Sequence, residues 1–190
     1  MTPGESNRED LEMRIVKWVV GVVAVAALVF VFVGLVIMPR EIAVERDIVI
    51  AAAPASVFPH VNSLSAAAEW SPWLEMDPDV ALTYEGPDAG VGNKLSWASE
   101  LEDLGSGSQT ITVSVENERV DSDLDFGPMG TAQATYILDA EGDGTKLTWA
   151  FTTDLGMNPM ARVFGPMIKD QVAADFDKGL ENLKTLVEGS

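Results

Sequence analysis

The sequence predicts an α+β domain carried behind a single membrane-spanning helix. Three observations lead there. Trp18–Met38 contains no charged side chain. From Glu41 to Thr153 the chain divides into short alternating runs separated by glycine- and proline-rich turns. From Met160 onward, apolar residues recur every three or four positions.

The uncharged run comes first. At ~1.5 Å per residue it reaches ~31 Å, the thickness of a bilayer hydrocarbon core. We place an N-terminal tail at residues 1–14, a transmembrane helix at 15–38 and one domain at 41–190. A cleaved signal peptide is the competing reading. Its apolar region runs about 7–15 residues and closes on small residues, whereas this run is longer and closes on Leu35-Val36-Ile37-Met38-Pro39. Arg8, Arg14 and Lys17 precede the span, and Arg40 and Arg46 follow it. That balance predicts a cytoplasmic N-terminus and a domain outside the cytoplasm, on the periplasmic side. Only Pro39 and Arg40 separate span from domain, so the domain is expected to sit against the membrane surface.

Glu41–Ile50 alternates, with Ile42, Val44, Ile48 and Ile50 on one face and Glu45 and Asp47 on the other, the pattern of a half-buried strand. Pro54 opens a short helix through Val61, and Ser65–Trp70 makes a second. Trp70 through Pro78 is a loop. Strands follow at Val80–Glu85, Lys94–Ser99, Thr110–Glu116, Val120–Phe126, Thr131–Leu138 and Lys146–Thr153, with Gly105 and Gly107 among the turn residues between them. Short strands at regular spacing make an antiparallel meander. Asn158-Pro159 then starts a helix, a capping side chain followed by proline. Met160, Phe164, Ile168, Val172, Phe176, Leu180, Leu183 and Val187 form one apolar stripe, which must be buried against the sheet. Gly165-Pro166 is expected to break it into a short helix and a long one.

Several strings carry a resemblance. Ile48-Val49-Ile50-Ala51-Ala52-Ala53-Pro54 with Val57-Phe58, Gly144-Thr145-Lys146-Leu147-Thr148-Trp149, and Phe176-Asp177-Lys178-Gly179-Leu180-Glu181-Asn182-Leu183-Lys184 resemble the START-like polyketide cyclase/dehydrase (SRPBCC) superfamily. Trp70-Ser71-Pro72-Trp73, Met76-Asp77-Pro78, Tyr84-x-Gly86-Pro87 and Gly90-x-Gly92 resemble a bacterial subgroup that often carries an N-terminal hydrophobic segment. The resemblance covers residues 41–188. It implies a helix-grip fold, a curved antiparallel sheet wrapped around a long C-terminal helix, with an apolar ligand held between the two. Members of the superfamily transfer lipids and sterols, bind quinones, sense hormones, close polyketide rings or assist chaperones, so the fold leaves the function open.

Charge narrows the choice. The chain carries −18 at neutral pH; residues 1–38 hold four acids and three bases, so the domain holds 26 acids against 9 bases, or −17. Such a surface repels phosphate backbones, which argues against nucleic acid as a partner. With one histidine and no cysteine, cysteine nucleophiles and multi-histidine metal sites are excluded, and no phosphate-binding or nucleophile-elbow motif occurs. His60 lacks a specified partner for general-base work. Asp121-Ser122-Asp123-Leu124-Asp125 has calcium-ligand spacing, but Phe126 stands where the loop glycine belongs. Asp139 through Gly144 has the glycine, but Ala150 stands where the bidentate glutamate belongs. The first string is expected to be the wet face of a strand and the second a hairpin turn. No metal or cofactor is expected.

Aromatic residues and methionines suit an adaptable apolar pocket. The expected ligand-binding residues are Trp70, Trp73, Trp97, Phe126 and Trp149, together with Phe151, Phe164, Met167 and Ile168. Trp97, Trp149 and Phe164 would line the grip and Trp73 its entrance. The partner expected is a lipid, quinone or similar small apolar molecule, bound without catalysis by a membrane-anchored domain. Two rivals stand beside this reading: a cyclase, dehydratase or isomerase acting on an apolar substrate, and an interaction module whose core is filled. The interior volume separates them.

Overall fold

The computed structural model describes residues 3–101 and 104–189, so Met1 and Thr2 of the tail and Ser190 of the domain lie outside the described residues. The chain forms two compact units. One comprises residues 1–40 with 156–165, the other residues 41–155 with 166–190.

In the first unit, helix α1 runs Pro3–Phe32 and passes directly into a π-helical turn, Val33–Ile37. The helix begins twelve residues before the expected Ile15, because Glu5, Arg8, Glu9, Leu11, Glu12 and Met13 are good helix formers with no breaker among them. Across the helix and the π turn, Glu12–Ile37 includes an 18-residue window of mean hydropathy 3.1 and is the one stretch among the described residues long and apolar enough to cross a membrane. The amide of Met38 closes the π turn on the Val33 carbonyl at 3.0 Å.

The second unit is the α+β domain. Its elements are β1 (Glu41–Ile50), α2 (Pro54–Val61), α3 (Leu64–Ala68), β2 (Ala81–Glu85), β3 (Lys94–Ala98), β4 (Ser106–Val115), β5 (Arg119–Asp125), β6 (Thr131–Glu141), β7 (Gly144–Asp154) and the C-terminal helix α4 (Pro159–Glu188). The seven strands form one curved antiparallel sheet in the order β1-β7-β6-β5-β4-β3-β2. The arrangement is the helix-grip expected from the sequence.

Strand parity assigns each residue a face, since successive side chains point to opposite sides. Cross-strand rows on the inner face follow from the register. One row is Ile48–Leu147–Leu138. The next is Arg46–Trp149–Tyr136–Val120. Beyond it lies Val44–Phe151–Ala134–Ser122–Ile111, and then Ile42–Thr153–Ala132–Leu124–Gln109–Leu95. Ile42, Val44, Ile111, Val120, Tyr136, Leu138, Leu147 and Trp149 are buried with Phe176, Leu180, Leu183 and Val187 of α4 in a single core. Lys184 Nζ donates to the Val49 carbonyl at 2.9 Å, and the Ala51 amide to Glu188 Oε1 at 2.7 Å, tying the end of α4 to β1.

Three expectations are corrected. The C-terminal helix is continuous from Pro159 to Glu188 despite Pro166 inside it. Pro166 removes a single donor, the one that would bond the Arg162 carbonyl, and the turns on either side keep theirs; the boundary between the two units still falls at Gly165–Pro166. The apolar stripe is not buried throughout: Ala173, Phe176, Leu180, Leu183 and Val187 are buried, whereas Met160, Phe164 and Ile168 are exposed. Successive four-residue steps drift ~40° each around a helix of 3.6 residues per turn, so Phe164 and Met160 lie ~120° and ~160° from Phe176. Finally, Gly107 lies within β4 rather than in a turn. A Cβ there would stand 2.5 Å from Cζ2 of Trp97, its partner across the strand pair, so glycine makes room for the indole.

Candidate functional site

One half of the inner face is closed. Trp149 of β7 stacks on Phe176 of α4 with centroids 3.8 Å apart. Trp70 and Trp73 meet the Trp149 ring edge-on at 5.4 and 5.7 Å, and Tyr136 lies 5.2 Å away. The loop that supplies the two tryptophans is pinned at both ends of the motif. Trp70 Nε1 donates to the His60 carbonyl at 3.1 Å, and Trp73 Nε1 donates to Asp175 Oδ2 at 3.2 Å. Asn182 of α4 donates to the Trp70 carbonyl at 3.3 Å and to Glu75 at 2.8 Å, and Lys178 pairs with Glu75. The Lys178 hydrogen bond holds the Glu75 carboxyl below its ordinary pKa, partly offset by desolvation. Burial raises the Tyr136 hydroxyl far above the usual phenol range, so it stays neutral.

The other half carries smaller side chains. In the rows beyond Trp149, the central inner-facing side chains are short: Ala134 and Ser122, then Ala132. Around them Phe151, Leu124 and Trp97 are only partly buried. Trp97 and Phe126 meet edge-to-face at 5.9 Å, and Trp97 Nε1 donates to the Leu104 carbonyl at 3.3 Å. The short side chains are themselves buried, Ser122 to 1% exposure, with aromatic residues on either side. Ser122 Oγ, fully buried there, has no hydrogen-bond partner among the described residues, and neither has Trp149 Nε1.

The expected site residues thus fall into three sets. Trp70, Trp73, Trp149 and Phe151 come together around Phe176. Trp97 and Phe126 form a separate pair farther along the same face. Phe164, Met167 and Ile168 are exposed on α4, and Phe164 belongs to the unit that contains α1. Trp73, expected at an entrance, meets both Trp149 and Phe176 edge-on, at 5.7 and 6.0 Å.

A cavity of about 660 Å³ opens on the opposite face of the sheet, among Lys94, Thr110, Asp123, Gln133 and Thr152, with Glu41, Asp125 and Asp154 at its sides. Most of these residues alternate with the inner-facing ones, but Leu124, Ala132 and Thr153 also reach this trough, whose surface is more apolar than polar. Among the described residues no group of three or more histidine, cysteine or carboxylate side chains is placed to hold a metal ion. His60 is half-buried, and its Nδ1 has no partner among the described residues to orient it as a base.

Sequence reasoning missed three features. Arg46 shares the inner face with Ile42, Val44 and Ile48 and pairs with Asp177 of α4 at 3.2 Å; its parity in β1 is the signal that could have revealed it. The short side chains Ser122, Ala132 and Ala134 were legible from parity as well. Arg162, buried at 5% exposure, had no signal in its spacing.

The family model described as polyketide cyclase/dehydrase and lipid transport matches residues 41–188. None of the curated proteins compared with the chain matches it. Solved structures with the same fold include norcoclaurine synthase from Thalictrum flavum, a point mutant in complex with a transition-state analogue. It is 14% identical with a TM-score of 0.61, over 78% of this chain and 95% of that one. Protein TTHA0849 from Thermus thermophilus is 15% identical with a TM-score of 0.59, over 77% and 97%. Protein CV1439 from Chromobacterium violaceum is 20% identical with a TM-score of 0.54, over 80% and 99%.

Proposed function

The chain belongs to the polyketide cyclase/dehydrase and lipid transport family, and from that premise we propose that residues 41–190 bind a small apolar molecule, a lipid, quinone or similar, without catalysis, while α1 anchors them to a membrane. The observation that supports the reading is the chemistry of the inner face: short side chains at Ser122, Ala132 and Ala134, flanked by partly buried Trp97, Leu124 and Phe151. Each methylene buried there contributes ~0.8 kcal/mol, so an eight-carbon chain supplies ~6 kcal/mol before ordering costs. The unpartnered Ser122 hydroxyl suits a ligand that carries one acceptor, such as a carbonyl. The length and hydropathy of Glu12–Ile37 support the anchor, and the slight basic excess before it favours a domain outside the cytoplasm.

The closed aromatic half favours the rival reading of an interaction module with a filled core. Titration of residues 41–190 with fluorescent fatty acids and quinones, followed by tryptophan quenching, decides between them. Saturable quenching supports ligand binding; none across a broad apolar panel leaves the interaction module. For the anchor, extraction of the full chain from membranes by alkaline carbonate, or a mature N-terminus near Ala53, would overturn the span.

A further inference from the structure

We propose that the start of α4 is a membrane-contacting surface: Met157, Met160 and Phe164 enter the interfacial layer of the bilayer beside the point where α1 leaves it. The proposal rests on the reading of α1 as a membrane span. All of its residues lie in the unit that contains α1.

Two contacts hold the segment to the end of the span. A Cβ on Gly34, in the π turn, would stand 2.7 Å from both Cβ and the carbonyl oxygen of Pro159, so the two backbones abut and glycine is required. Arg162 is buried and donates through Nη1 to the Leu35 carbonyl at 2.9 Å, and through Nε to the Gly156 carbonyl at 2.9 Å. Its Nη2 bonds Gly156 as well and approaches Met157 Sδ at 3.7 Å. Carbonyls at a helix C-terminus lack intrahelical donors and carry the negative end of the helix dipole, so a guanidinium is a fitting cap. The π turn puts such a carbonyl within its reach.

With the one charge of the segment turned inward, its large apolar side chains face out. Met157 is 71% exposed, Met160 53% and Phe164 46%. Asn158 starts the helix by accepting the amides of Met160 and Ala161 at 3.0 and 3.2 Å, which sets these side chains on a regular turn. No acidic residue occurs between Asp154 and Asp170, although the domain as a whole carries −17 (26 acids, 9 bases). Anionic headgroups would be repelled by most of the surface and not by this part. Lipid is the occupant because the segment continues the apolar surface of the span at the level where the bilayer ends, and flexible methionines suit a disordered partner.

The natural chain has no cysteine, so single labels are unambiguous. Val25→Cys, Glu116→Cys, Met160→Cys and Phe164→Cys would each carry an environment-sensitive nitrobenzoxadiazole dye, in the full chain reconstituted into phosphatidylcholine vesicles. Val25 lies within the apolar run and reports on the span alone; Glu116, exposed in the β4–β5 hairpin, is the aqueous control. The expected result is quenching at positions 160 and 164 by lipids with a shallow doxyl group, at least twofold stronger than by deep-doxyl lipids, with Glu116 unquenched. Quenching at Val25 without quenching at 160 and 164 overturns the surface and leaves the span. Blue-shifted emission at 160 and 164 without lipid quenching means that protein, such as a second copy, covers them, and also overturns it. Loss of quenching at Val25 removes the span and the proposal together.

Discussion

The indole of Trp149 lies flat on the ring of Phe176, with centroids 3.8 Å apart and planes 10° apart. The pair joins the middle of β7 to the middle of α4, and Trp70, Trp73 and Phe151 close around it. It is where the helix is held in the sheet. Phe176 is buried at 1% exposure, so its removal leaves a cavity that a stacked ring cannot collapse into.

Phe176→Ala should therefore cost ~3–5 kcal/mol in denaturant unfolding. Lys178→Ala, two residues on, breaks only an exposed ion pair with Glu75 and should change stability little. Equal effects would mean that the burial of α4 does not depend on this contact.

Gly179→Ala should also destabilise, against the usual gain of ~1 kcal/mol for glycine to alanine inside a helix. A Cβ there would stand 3.0 Å from Cζ3 of Trp149 and 3.1 Å from Cδ of Pro72. The indole is stacked on Phe176 and crowded by Trp70 and Trp73, so it has little room to yield. A thermal melt of this variant above that of the natural chain would contradict the packing.

Glu75 makes stability depend on acid. Hydrogen bonding from Lys178, offset in part by desolvation, depresses its folded pKa below the unfolded value. Its contribution is thus present above the ordinary glutamate pKa and lost as pH falls through the lower, folded value. The melting-temperature difference between the natural chain and Glu75→Gln should persist at neutral pH and vanish in strong acid. A difference that is constant with pH would assign it to packing instead.

Much of this was legible in the sequence because the strands obey their period. Glu41–Ile50 and Pro54–Val61 begin and end where alternation and proline place them. The strings that carried the resemblance have physical roles in common: Thr145 Oγ1 donates to the Ala52 carbonyl at 2.6 Å, joining two of them across the sheet. The helix stripe misled because a run of four-residue steps does not stay on one face of a helix with 3.6 residues per turn. Steps of four residues drift ~40° each on such a helix, so Phe164 and Met160 lie ~120° and ~160° round from Phe176, and both are exposed. Arg162 was invisible for another reason: its partners, Leu35 and Gly156, are carbonyls, which every residue has. The site was half legible. Parity put Trp97, Trp149 and Phe151 on the inner face, while the short side chains of Ser122, Ala132 and Ala134 drew no notice because they lack chemistry of their own.

Adjacent residues of β5 offer the sharpest test of the ligand. Leu124 faces inward in the row with Ala132 and Gln109; Asp123 faces outward opposite Gln133. If an apolar molecule rests on the inner floor, Leu124→Asp puts a charge against it, and an unpaired charge in such a site is disfavoured. Affinity for a fluorescent fatty acid should fall at least ~10-fold, or ~1.4 kcal/mol. Asp123→Asn alters only the solvated trough and should leave affinity unchanged. Leu124 is partly exposed before binding, so the folded domain should tolerate the change, and a melting temperature within a few degrees of the natural value would confirm it. Equal affinities for both variants would place any bound molecule off the inner face, and loss in both would point to the outer trough.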